Sequence, residues 1–129
     1  MNQPMKTRHF RDLQVWQKSM SLANEVYALS GRFPKSEVFG LAAQIRRAAV
    51  SVPSNIAEGH GRLTDRGFEV FLGHARGSLF ELETQAELAA QLGFADHDEC
   101  ETLIEHINEV ARMLNGLLAT VRANEQRGS

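Results

Sequence analysis

Apolar residues recur at spacings of three and four in four separate stretches of this chain, and nothing in it alternates with the period of two that a half-buried strand requires. That pattern predicts four amphipathic helices. In the first, Leu13, Trp16, Met20, Ala23 and Tyr27 fall on one face, with Val15, Leu22, Val26, Leu29 and Phe33 widening the stripe. So broad an apolar arc suits a helix packed against two neighbours. Asp12 is the expected N-cap, and Gly31 with Phe33-Pro34 ends the helix, because proline disfavours helical geometry in the residue before it.

The second stretch carries the most demanding pattern. With Ser36 as N-cap, Val38, Leu41, Ile45, Ala49, Val52 and Ile56 lie within roughly 40° of one direction at 100° per residue, straight through Pro53. The unbroken phase predicts one long helix, kinked at Pro53, where the carbonyl of Ala49 loses its donor. Gly59 and Gly61 are expected to fray it, and Thr64 or Asp65 to cap the next. In the third stretch the core positions are Phe68, Leu72, Ala75, Leu79, Leu82, Ala86 and Ala89, and Gly93 ends the helix. Gly73 and Gly77, one turn apart, each cost about 1 kcal/mol relative to alanine, so they predict a close backbone approach, within the bundle by preference and otherwise between subunits. In the fourth, opened by Asp96 or Asp98, the seam is Cys100, Leu103, Ile107, Val110, Leu114, Leu117 and Val121. Short loops between four such helices predict an all-α, antiparallel, up-down-up-down four-helix bundle over residues 12–124, with a flexible basic arm at 1–11 and a frayed tail at 125–129.

A chain of 129 residues suffices for one such core. No run approaches the roughly 18 apolar residues of a membrane span, and the polar, basic start is no secretory signal. The single cysteine, Cys100, forms no internal disulfide and fits a reducing cytoplasm. Charge is uneven: residues 1–76 hold eleven Lys/Arg against six Asp/Glu, and residues 77–129 hold three against ten. This polarity reads equally as differently solvated helix faces, as a basic binding surface, or as complementary faces for self-association.

Catalytic signatures are missing. No acidic residue has a histidine three positions on, which a di-iron bundle needs. His9, His60, His74, His97 and His106 lack the short spacing of a zinc site, and neither a nucleophile motif nor a phosphate-binding glycine loop is present. The expectation is a protein that is not an enzyme and takes no cofactor or metal. Two polar constellations remain. Gln44, Ser51, Asn55 and Glu58, followed by Arg62, line one flank of the second helix about 80–140° from its apolar centre, which reads as a polar seam fixing register or, alternatively, as a ligand site. Arg8, Arg11, Arg46, Arg47, Arg62 and Arg66 are candidates for contact with phosphate, since guanidinium suits bidentate recognition of it. They serve equally as contacts to the acidic half of a neighbouring subunit.

Three blocks, FRDLQVWQKSM (10–20), FPKSEVFGLAAQIRRAAVSVPSNIAEGHGR (33–62) and FLGHARGSLFELETQAELAAQLG (71–93), closely resemble the four-helix-bundle proteins of the 23S rRNA intervening-sequence family. The resemblance implies a small antiparallel bundle, often a ring-shaped homopentamer. It also implies kinship with the accessory variability protein of diversity-generating retroelements, which works with a reverse transcriptase and binds nucleic acid through a basic surface. It brings no catalytic residues. The combined expectation is a non-enzymatic oligomeric bundle binding RNA or a nucleic-acid-processing partner, or else a protein-interaction scaffold whose arginines serve subunit contacts.

Overall fold

A computed structural model describes residues 9–128, and the basic positions Lys6 and Arg8 lie outside them. The described chain forms four α-helices, α1 (Gln14–Ser30), α2 (Leu41–His60), α3 (Asp65–Gln91) and α4 (His97–Gly128), with short 3-10 turns at Phe10–Asp12 and Lys35–Glu37. They pack into a four-helix bundle around one core, to which every helix contributes. Ile45 and Ile56 of α2, Leu72 and Leu82 of α3, and Leu103 and Leu114 of α4 are fully withdrawn from solvent.

Each helix end has a local cause, and several differ from what the sequence suggests. Asp12 belongs to the 3-10 turn, so Leu13 occupies the N-cap of α1 without a side-chain hydrogen bond. Neither does Ser36 cap α2. A 3-10 turn follows Pro34, and the Glu37 carboxylate then accepts the Leu41 N–H at 3.0 Å, placing negative charge at the positive end of the helix. Val38 is left half-exposed ahead of α2 as a result. Thr64 caps α3 by accepting the Gly67 N–H at 3.0 Å. At the other end Gly93 takes a left-handed φ of 74°, the Phe94 N–H reaches the Ala89 carbonyl, and the Phe94 ring meets Phe33 with centroids 6.0 Å apart. The Asp96 carbonyl accepts the Cys100 N–H to start α4. That helix continues to Gly128, past Asn124.

α2 stays helical through Pro53, with its buried residues in the same phase on both sides. Gly59 does not fray it. This residue is buried where α2 crosses α3: a Cβ there would lie 2.9 Å from Phe68 Cδ1 and 2.9 Å from Phe71 Cβ. Gly73 and Gly77 are the reverse case, exposed on α3 with nothing within 4 Å of a built Cβ, so no approach within the subunit explains them.

Two ion pairs and a hydrogen bond across the helices follow a regular order. Lys18 meets Glu109 at 3.7 Å, Glu25 meets His106 at 2.7 Å, and Arg32 meets Glu99 at 2.6 Å, so partners descend along α4 as they ascend along α1. Part of the charge imbalance between the two halves of the sequence is thereby neutralised inside one subunit.

Two apolar patterns settle differently from expectation. On α1 the core takes Val15, Leu22, Val26 and Leu29, whereas Met20 is 39% and Tyr27 48% exposed and Trp16 is half-buried. The arc was wider than α2 and α4 could cover. On α4 Leu118 replaces Leu117 as the buried residue, because a straight helix drifts about 20° per heptad and the next inward position falls four residues after Leu114 rather than three.

Candidate interaction surface

The polar flank of α2 separates into two parts. Ser51 Oγ accepts hydrogen bonds from Asn55 Nδ2 at 2.9 Å and from Ser78 Oγ of α3 at 2.8 Å, while Asn55 Nδ2 also donates to the Ser51 carbonyl. This compact network joins α2 to α3 at a fixed level. Gln44 and Glu58 are exposed outside it, and Glu58 pairs with Arg62 one turn on, at 3.0 Å. The structure therefore brings two of the expected polar residues, Ser51 and Asn55, to the helix seam, adds Ser78, and leaves Gln44 and Glu58 in solvent.

The arginines do not converge. Arg46 turns back on α1, where its Nε donates to Ser30 Oγ at 2.7 Å and its guanidinium lies over the Tyr27 ring, 4.8 Å from the centroid. Arg62 lies 4.4 Å over the Phe71 ring in addition to its pair with Glu58. Arg66 reaches Glu125 at 3.6 Å, beside the Arg122–Glu69 pair at 2.8 Å. In that group the hydrogen bond from Arg122 holds the Glu69 carboxyl below the ordinary carboxylate range, and the hydrogen bond shared with Glu69 pushes Glu125 above it. Arg11 lies in the turn before α1, against His9 and Phe10. Arg47 is exposed and has no ion-pair partner among the described residues.

The feature least visible in the sequence is a groove of about 510 Å³ between α1 and α2. Trp16, Met20, Ala23 and Tyr27 form one wall, and Val50, Pro53, Ser54 and Ala57 the other. No charged side chain lines it. Arg46 closes its Tyr27 end, and Arg47, one helical turn before Val50 and two before Ser54, stands on its rim. The α1 stripe was the sequence signal for this surface, but it looked like core. Pro53, which looked like a disturbance within the core helix, forms part of the groove wall.

Chemistry elsewhere is modest. His97, Asp98 and Glu101 bring potential ligand atoms within 4.8 Å of one another on the first turn of α4, all exposed. Such acidic clusters are common without an ion, and no buried group orients these side chains. Cys100 is buried, and desolvation, with Glu99 and Asp96 nearby, raises its thiol pKa, the opposite of an activated nucleophile.

Comparison with known proteins agrees with the bundle. The sequence model of the 23S rRNA-intervening sequence protein family matches residues 11–116, from the turn before α1 well into α4. A solved structure from Bacteroides thetaiotaomicron, described as a protein with unknown function from the S23 ribosomal protein family, superposes with a TM-score of 0.76. It is 22% identical, and the match covers 81% of this chain and 95% of that one. At this identity the likeness is one of fold. No curated protein matches the chain.

Proposed function

The chain belongs to the 23S rRNA-intervening sequence protein family, and we propose that it works without catalysis, as a helical bundle that assembles with copies of itself through the groove between α1 and α2. The groove itself is the observation that supports this reading. Half-buried Trp16 and the exposed Met20, Tyr27 and Val50 are left together around this groove, at the surface of a small domain whose core is otherwise well covered. Burying apolar surface is favourable by about 25 cal/mol per Å², and Trp, Tyr and Met are the residue types that dominate protein contacts. Five copies, the number implied by the family resemblance, is the expected stoichiometry. The single, buried thiol of Cys100 suits a reducing cytoplasm, and among the described residues no helix is long and apolar enough to cross a membrane.

Light scattering across a concentration series tests the proposal. The protein should show a mass several times its 14.4 kDa chain, and Met20→Glu should reduce it to a single chain with unchanged helical circular dichroism. A wild type that stays monomeric at every concentration refutes self-assembly.

A second reading, contact with RNA, draws on the family's description and on Arg11 and Arg47, which carry no carboxylate partner among the described residues. Three of the six nominated arginines, Arg46, Arg62 and Arg66, are already held within the subunit, so assembly is the better supported function. For RNA contact, affinity should fall steeply with salt, by close to one power of concentration per phosphate neutralised. A flat salt response removes this reading and leaves the first intact.

A further inference from the structure

We propose that the groove receives the outward face of α3 from a second copy, so that the two subunits meet head to tail through different surfaces. This rests on the self-assembly proposed above and specifies its contact. The outward face of α3 is the second unpartnered apolar surface of the bundle. Val70 is 48%, Phe80 60% and Leu88 41% exposed there, with Gly73 and Gly77 between them. Within the subunit those two glycines weaken α3 by about 1 kcal/mol each and make room for nothing. A neighbouring helix pair that straddles α3 supplies the missing reason, because glycine lets another chain approach the helix backbone closely.

Charge selects the partner and its direction. The groove lining is uncharged and its rim is cationic, at Arg46 and Arg47. The C-terminal half of the α3 face carries Glu81 and Glu87, both exposed and without an ion-pair partner among the described residues. Seating α3 with those carboxylates at the Tyr27 end of the groove sets them beside Arg47 and lets Phe80 enter as an aromatic anchor. It directs Arg76, whose guanidinium lies 5.5 Å over the Phe80 ring, away from the rim arginines. A contact between two like surfaces would not bring Glu81 and Glu87 to the rim arginines of the groove. Because groove and α3 face are different surfaces of one subunit, each copy offers both, and the contact repeats until it closes into a ring or runs on as a filament.

Two variants and their mixture provide the test. Met20→Glu disables the groove, and Phe80→Glu disables the α3 face; both side chains are exposed, and circular dichroism checks that each variant remains folded. By light scattering each variant alone should be monomeric. Mixed in equal amounts, they should form a dimer and nothing larger, since one intact groove then meets one intact α3 face. If Phe80→Glu assembles like the wild type, α3 is not the occupant. If Phe80→Glu is monomeric while Met20→Glu still assembles, α3 pairs with itself and the head-to-tail contact is wrong. Two monomeric variants whose mixture remains monomeric at the highest soluble concentration also overturn it. A monomeric wild type refutes the assembly proposal itself, an outcome distinct from all three.

Discussion

Gly59 offers a sharp test of how the helices pack, because its structural setting reverses an otherwise general rule. Replacing an interior helical glycine by alanine should stabilise a helix by about 1 kcal/mol, through backbone entropy, which is the upper bound for Gly59 in the last turn of α2. At Gly116, exposed on α4 with nothing within 4 Å of a built Cβ, that gain should appear in full. At Gly59 the same methyl would sit 2.9 Å from Phe71 Cβ, 2.9 Å from Phe68 Cδ1 and 3.2 Å from the Phe68 carbonyl oxygen. Two of these atoms are backbone or next to it, so relief requires α3 to move away from α2 rather than a side chain to rotate. Overpacking of this kind costs about 1–3 kcal/mol. Set against a propensity gain of at most about 1 kcal/mol, Gly59→Ala should range from nearly neutral to about 3 kcal/mol destabilising, and should lie about 1–4 kcal/mol below Gly116→Ala. Urea denaturation of dilute protein, followed by helical circular dichroism, measures both midpoints under conditions where assembly does not contribute. Equal stabilisation by the two substitutions would refute the close approach of α2 to α3 at this level.

Three further outcomes follow from particular contacts. Arg46→Ala should cost about 1–2 kcal/mol, since it removes the hydrogen bond to buried Ser30, whereas Arg47→Ala in dilute protein should stay within about 0.5 kcal/mol; equal losses in urea titrations would contradict the different placements of these neighbours. Ser51→Ala and Ser78→Ala should each cost about 1 kcal/mol, and the double variant distinctly less than the sum, because both remove one shared hydrogen bond; strict additivity in a double-mutant cycle would exclude the bond. In a carboxyl NMR titration Glu69 should lose its proton below the ordinary range and Glu125 above it, Arg122 stabilising the first anion and the Glu69 carboxyl discouraging the second. The Glu69 contribution to stability is then present above its unfolded pKa and fades as pH falls through its lowered value. The Glu125 contribution is present below its unfolded pKa and fades as pH rises through its raised value. Glu125→Gln should abolish the upper titration and leave Glu69 low, and coincident titration of the two carboxyls near ordinary values would rule out their contact.

What the sequence determined by itself is the helical phase of each segment. All seven core positions expected on α3, Phe68 through Ala89, are buried, and the α2 positions from Leu41 to Ile56 hold their phase through Pro53. Helical phase is a local property: a period of 3.6 residues puts neighbours three and four apart on one side wherever the helix later docks. The network of Ser51 and Asn55 was legible in part for the same reason, as polar residues beside an apolar stripe. Its acceptor geometry with Ser78 was not, because that partner is 27 residues away along the chain. Tertiary structure alone decided which portion of the broad α1 arc is covered, and so whether Trp16, Met20 and Tyr27 were core or surface. It likewise decided that Arg46 turns to α1 while Arg47 stays in solvent, and that Gly59 lies under two phenylalanines while Gly73 and Gly77 face outward. Sequence spacing fixes directions around one helix axis, but the width of the face a helix buries, and the identity of what it meets, depend on where its neighbours' axes lie.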